Sequence, residues 1–167
     1  MTSLGTATYL RPVEPSDDAF LYDVFCTTWA GEVAVLPNQN LARHVLRIQH
    51  IAQERRFTSR HPGRERFVVV EDGRPVGRLY LDRTGPGNRV LDLTLLPAFQ
   101  SRGLGTRVLL DLVQQARVAG VGLQLSVKRR NRRAVEWLHR LDFRLVDLDD
   151  LDDHFVWPAP QRVSAEP

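Results

Sequence analysis

Residues 90–120 read VLDLTLLPAFQSRGLGTRVLLDLVQQARVAG, which is a β-rich run, a glycine turn and an amphipathic helix in immediate succession. The run 90–96 carries the branched and aliphatic residues that suit a strand. Leu104, Val108, Leu109, Leu112, Val113 and Ala116 then repeat with helical period, and Gly120 is placed to end the helix. Between the two lies Gln100-Ser101-Arg102-Gly103-Leu104-Gly105. Gly103 and Gly105 remove side chains where a ligand can approach the backbone. The helix that follows offers unpaired N–H groups and a positive dipole end. The segment is therefore either an anion site, with a phosphate or diphosphate as its natural occupant, or a plain strand-to-helix turn that uses glycine for its dihedrals. No Gly-Lys-Ser/Thr follows, which excludes a nucleoside-triphosphate loop. Val108 stands where a dinucleotide fingerprint needs its third glycine, and the junction is not in an opening βαβ unit.

Upstream, residues 6–13 read as a first strand closed by Pro12 and Pro15, with Ser16 as N-cap of a helix carrying Phe20, Leu21, Val24 and Phe25. A second helix is expected from residues 38–40, with Leu41, Val45, Ile48 and Ile51 on its apolar side, and residues 56–65 as a loop. Residues 67–70 and 75–81 form a hairpin about Asp72-Gly73. Downstream come a strand over 121–127, a helix over 132–141, and strands over 143–148 and 154–157. The order β-α-α-β-β-β-α-β-α-β-β predicts an α/β (α+β) fold, a central mixed, mostly antiparallel sheet flanked by helices. One domain over residues 1–158 is expected, with 159–167 as a tail.

Composition narrows the function classes. The chain has 167 residues, 43% hydrophobic and 26% charged, the profile of an ordinary globular domain able to bury a core without staples. Cys26 is its single cysteine, so no internal disulfide and no cysteine-based zinc site can form, and no metal is expected. No apolar stretch reaches membrane-spanning length, and residues 1–6 lack a secretion-signal layout, so a cytoplasmic protein with no membrane partner is expected. The net charge is +3, and of the 23 basic residues only Lys128 is lysine. The arginines are interspersed with acids rather than gathered into a nucleic-acid stripe.

The turn resembles the signature of the GNAT superfamily of acyl-CoA-dependent N-acetyltransferases. That signature is glutamine or arginine, two residues, glycine, one residue, then glycine or alanine, between a strand and a helix. Leu95-Leu96-Pro97 stands where the family has an apolar residue shortly before proline. A second segment agrees. Asn131-Arg132-Arg133-Ala134 opens a helix running through Trp137-Leu138 to Leu141-Asp142-Phe143, where relatives often show Asn, Ala, Leu-Tyr and Leu-Gly-Phe. The resemblance spans residues 6–157. It implies acetyl-CoA, or another acyl-CoA, as co-substrate. The N–H groups of Arg102, Gly103, Leu104, Gly105 and Thr106 would grip its diphosphate within the motif that Gln100 opens. Leu93, Leu95 and Leu96 on the preceding strand would run beside the pantetheine arm, and Asn131 would reach the cofactor, cap its own helix, or both.

The implied reaction moves an acetyl group to a primary amine of a small molecule or peptide by direct transfer. No Ser-His-Asp or Cys-His arrangement is recognisable along the chain, so an acyl-enzyme is not expected. Many relatives use a tyrosine as acid for the leaving thiolate, and Leu138 occupies that position here. His139 is a candidate substitute acid, although a one-residue shift turns it about 100° around the helix. Asp92 is a candidate base acting through water, or a solvated strand-edge carboxylate; Tyr80 and Glu32 are further candidates with no spacing argument. For the acceptor, the family uses the first two helices and their connection, here Trp29, Glu32, Gln49 and Gln53; the two glutamines lie on one helical face. Asp147, Asp149, Asp150, Asp152 and Asp153 either attract a cationic amine or form a soluble turn. The basic run 128–133 could meet the 3′-phosphate of coenzyme A. The protein is expected as a monomer or homodimer. The alternative function is a catalytically degenerate CoA-binding sensor or protein-interaction module, to which Leu138 and Asp142 give some weight.

Overall fold

The computed structural model describes residues 8–157; the opening segment 1–7 and the expected tail lie outside the described residues. The described chain divides into two compact units. One comprises the described parts of Met1–Leu81 with Asp92–Gly105, the other those of Asp82–Leu91 with Thr106–Pro167.

In the first unit, β1 (Thr8–Pro12) pairs antiparallel with β2 (Glu65–Glu71), and β2 with β3 (Arg74–Asp82). Pro12 is tolerated because β1 is an edge strand. Asp72 and Gly73 both take positive φ, +49° and +76°, as a tight two-residue hairpin requires. α1 (Asp18–Thr28) buries Leu21, Val24 and Phe25. Gly77 has a steric cause: a Cβ there would clash with the Thr94 carbonyl oxygen on β4 (Asn88–Leu95).

In the second unit, the first residues of β4 run parallel to β5 (Leu123–Lys128), with Asn88, Arg89 and Val90 opposite Leu123, Gln124 and Leu125. β5 pairs antiparallel with β7 (Asp152–Trp157), and β7 with β6 (Arg144–Leu148). α4 (Leu104–Ala119) buries the expected stripe of Val108, Leu109, Leu112, Val113 and Ala116. It ends at Gly120, with φ +70°, through bonds from Gly120 N–H to Arg117 and from Val121 N–H to Ala116. Seven strands follow the hydrogen-bonded order β1-β2-β3-β4-β5-β7-β6, a mixed sheet flanked by helices.

Three expectations are corrected. Ser16 does not cap α1. Pro15–Asp17 forms a 3-10 turn, and the Asp17 carboxylate takes the Glu14 N–H at 2.8 Å and both terminal nitrogens of Arg11 at 2.7 Å. A carboxylate in a two-pronged guanidinium contact is the stronger organiser. The expected loop 56–65 is helical to Arg60, because α3 (Gln39–Arg60) continues until Phe57 meets Tyr80 edge-on. The apolar side assigned to α3 is also turned outward: Ile48 is 58% exposed, and Leu41 and Ile51 are exposed too. The covered side carries His50, Gln53 and Phe57, since the residue it meets on β3 is a buried arginine that needs polar company. A short helix, α2 (Ala30–Val33), was not expected from the sequence. The cap of α3 is as read: Asn38 accepts from the Leu41 N–H at 2.8 Å.

Candidate active site

The glycine turn has the backbone of an anion cradle. Ser101 and Gly103 take φ of +64° and +77°, so two left-handed residues alternate just before the first N–H groups of α4. A Cβ built on Gly103 would meet nothing within 4 Å, so the space above the turn is open. The first N–H groups of a helix have no intrahelical partner, and a diphosphate matches both their charge and their number. The Gln100 side-chain amide donates to the Leu95 carbonyl at 2.9 Å and so braces the turn against the end of β4. The Arg102 guanidinium lies 5.4 Å from the centre of the Phe99 ring. The Leu96 N–H is used by the Val76 carbonyl. Leu95 is buried, while Leu93 is partly exposed.

The second motif is tied to the start of α4 within one unit. Trp137, on α5 (Arg132–Arg140), donates its indole N–H to the Thr106 hydroxyl at 2.9 Å. Asn131 caps α5, accepting from the Ala134 N–H at 3.2 Å. Leu138 is 0% exposed, whereas His139 is on the outer side with its ring edge-on to Phe155.

The first unit contains a residue that the sequence reading missed. Arg78 is 0% exposed, a buried guanidinium in the core. It donates to the Asp92 carboxylate, to the Gln53 side-chain oxygen at 3.0 Å and to the Leu21 carbonyl at 3.4 Å. The rings of Phe25 and Tyr80 lie 5.8 and 5.1 Å away. The available signal was the alternation of β3: Val76, Arg78 and Tyr80 share an inward face, so Arg78 interrupts a core stripe. Asp92 also accepts from the Thr94 hydroxyl at 2.6 Å. It is therefore not a solvated edge carboxylate. Gln53 likewise accepts from Arg78 through its side-chain oxygen. Tyr80 is fully buried, and burial raises its pKa, so its phenol does not ionise near neutrality. Trp29 ends α1 and tilts onto Phe25 at 6.1 Å. Glu32 lies on α2, and Gln49 is partly covered on α3.

Three of the five aspartates have basic partners. Asp152 holds Lys128 at 3.1 Å, and Asp153 holds Arg129 at 3.0 Å. Asp149 accepts the N–H groups of Leu151 and Asp152 on one oxygen, and His154 lies 2.9 Å from the other. Those backbone bonds, followed by the histidine, hold the Asp149 pKa down at about 2. The far nitrogen of His154 lies 2.8 Å from the Ser126 hydroxyl. A Ser-His-Asp chain is thus present although none was legible in the order of residues.

The model of the Acetyltransferase (GNAT) family matches residues 20–143. Among solved structures, the PaiA N-acetyltransferase of Thermoplasma acidophilum in complex with coenzyme A is 18% identical with a TM-score of 0.69, covering 91% of this chain and 99% of that one. An acetyltransferase from Thermus thermophilus is 23% identical with a TM-score of 0.65, covering 90% and 96%. A protein described as histone acetyltransferase HPA2 and related acetyltransferase, from Corynebacterium glutamicum, is 16% identical with a TM-score of 0.67, covering 93% and 98%. These likenesses concern the fold. No curated protein matches the sequence.

Proposed function

The chain belongs to the GNAT family of acetyltransferases, and on that premise we propose that it is a cytoplasmic N-acyltransferase moving an acetyl group from acetyl-CoA to a primary amine of a small molecule or peptide. The observation that carries the proposal is the turn at residues 100–106, where left-handed Ser101 and Gly103 lead into the N-terminus of a sixteen-residue helix under open space. Bound acetyl-CoA would supply the activated thioester. The backbone N–H groups of Arg102, Gly103, Leu104, Gly105 and Thr106 hold the diphosphate. The end of β4 at Leu93 and Leu95, with Leu96 just beyond it, aligns the pantetheine arm, and Asn131 contributes from the start of α5. A backbone N–H near Leu95 serves the tetrahedral oxyanion. The thiolate leaves without a dedicated acid, since a thiol pKa of about 8.5 makes it a tolerable leaving group. Asp92 holds Arg78 in place. Trp29, Glu32 and Gln49 line the acceptor side.

The test is a panel of primary amines offered with acetyl-CoA, read out as free thiol. Turnover with any amine supports the acyltransferase. Binding of acetyl-CoA without turnover supports the second reading, a degenerate CoA-binding module, which the buried Leu138 in place of the family's tyrosine favours.

A further inference from the structure

One side of α3 has no part in the function as stated. Its covered side meets β3 and α1 through His50, Gln53 and Phe57. On the opposite side Leu41, His44, Ile48, Ile51, Arg55 and Thr58 recur at alternating steps of three and four, and all six are exposed. That spacing is the seam along which one helix packs on another. It runs for about 26 Å at 1.5 Å per residue. Leu41, Ile48 and Ile51 are 41%, 58% and 45% exposed, so the aliphatic row that periodicity would place in a core meets water instead. The charge of the helix is one-sided as well. α3 carries Arg43, Arg47, Arg55, Arg56 and Arg60 against Glu54 alone, and Glu54 is bonded to Arg64 at 3.1 Å. Arg55 lies within the seam, and Arg47 borders it with its guanidinium 5.6 Å from the centre of the Tyr22 ring.

We propose that the outward side of α3 is a docking surface for an acidic amphipathic helix of a partner protein. The partner lays an aliphatic stripe along Leu41, Ile48 and Ile51 and sets carboxylates against Arg47 and Arg55. The charge selects this occupant. A second copy of the chain would bring the same arginines and no carboxylate to the seam, so like charges would meet. A lipid surface suits a helix whose apolar face is unbroken and whose cations stand on the opposite face. Here His44 and Arg55 interrupt the aliphatic row itself. A guanidinium pressed into acyl chains loses its water and gains no partner, whereas a protein helix can meet it with a carboxylate in a charge-assisted bond. The surface lies wholly on one helix of the first unit and does not depend on the acyltransferase reading.

The experiment uses a fluorescent synthetic peptide with leucine at the a and d positions of its heptads and glutamate at e and g, titrated with the full-length protein and followed by anisotropy. At neutral pH the glutamates oppose self-pairing of the peptide. The wild type should bind it at least tenfold more tightly than the same peptide with lysine at e and g. Ile48→Asp should abolish binding, and Arg55→Glu should weaken it at least tenfold. The double variant Arg47→Glu, Arg55→Glu should reverse the preference and take the lysine peptide. All these positions are exposed, so the variants should melt within about 2 °C of wild type, as exposed substitutions usually do. If Ile48→Asp nonetheless fails to fold, the charge reversal carries the test alone. No binding of the acidic peptide, equal binding of the two peptides, or binding that survives both Ile48→Asp and the charge reversal would overturn the proposal. So would binding to phosphatidylserine vesicles without binding to the peptide, which would make the face a lipid surface. A wild-type dimer that Ile48→Asp dissociates would overturn it too, by showing a second copy on the seam.

Discussion

At Gly103 a single dihedral decides how the cofactor site can be probed. Its φ of +77° is a conformation that L side chains rarely adopt, although a Cβ there would meet no atom within 4 Å. Valine would therefore be strained by the backbone, at a cost of about 1–2 kcal/mol, whatever it did to a ligand. Asparagine tolerates the left-handed region and still adds bulk above the turn. Gly103→Asn should keep its melting temperature within about 2 °C of wild type while weakening coenzyme A binding at least tenfold by calorimetry. Wild-type affinity in that variant would leave the turn with a purely conformational role. Asp17 gives a prediction about stability. The two-pronged bond from Arg11, then the Glu14 N–H, outweigh desolvation and lower its pKa from 3.8 to about 2. Because folding lowers the value, the contribution, about 2 kcal/mol, is complete above about pH 4 and is lost as pH falls through about 2. Melting curves between pH 2 and 6 should show Asp17→Asn well below wild type at pH 6, with the two converging at pH 2. A constant gap across that range would mean that the pair contributes nothing through ionisation.

At the scale of elements, α5 presents one side to the core and the other to solvent, and its two adjacent candidates fall on opposite sides. Leu138 fills a fully buried position, so Leu138→Tyr should overpack the core and cost about 1–3 kcal/mol rather than supply the missing acid. His139 is on the outer side against Phe155. His139→Ala should leave kcat/KM within threefold of wild type, and a hundredfold loss would place the histidine in the chemistry after all. The same helix shows what a sequence can disclose. α4 and α5 were readable because local signals agreed: an apolar stripe, a left-handed Gly120 at one end, an Asn131 cap at the other. The Asp72-Gly73 hairpin was readable for the same reason. α3 was not, because the residue it covers, Arg78, is distant in sequence and selects polar partners over the aliphatic stripe that periodicity favours. Ser16 does not cap α1 because the Asp17 carboxylate, held by Arg11 from β1, organises that turn instead. The Ser126-His154-Asp149 chain depends on strand register, a non-local property that no spacing along residues 126–154 discloses.

For the whole molecule, the distribution of charge separates a small phosphate-rich ligand from a nucleic acid. The net charge is only +3. Within the basic run 128–133, Lys128 is paired with Asp152 and Arg129 with Asp153. Tight nucleic-acid binding needs many phosphates met at once, each adding to the salt dependence, and these neutralised side chains do not provide that. Coenzyme A asks for less, since one diphosphate on one helix N-terminus supplies a local site independent of net charge. Ligand that binds only the folded chain raises its stability by RT ln(1 + [L]/Kd), about 2.7 kcal/mol at one hundred times Kd. For a protein of this size that corresponds to a rise in melting temperature of about 5–10 °C. Acetyl-CoA at millimolar concentration should produce such a shift, and free coenzyme A a similar one, because the grip is on the diphosphate rather than the acetyl group. A short duplex DNA at moderate salt should produce none. A melting temperature that did not respond to acetyl-CoA would remove the acyltransferase and the CoA-binding module together, since both depend on the turn at Gly103. A rise with DNA that salt abolished would instead show that the arginines act as a phosphate-binding surface despite their paired neighbours.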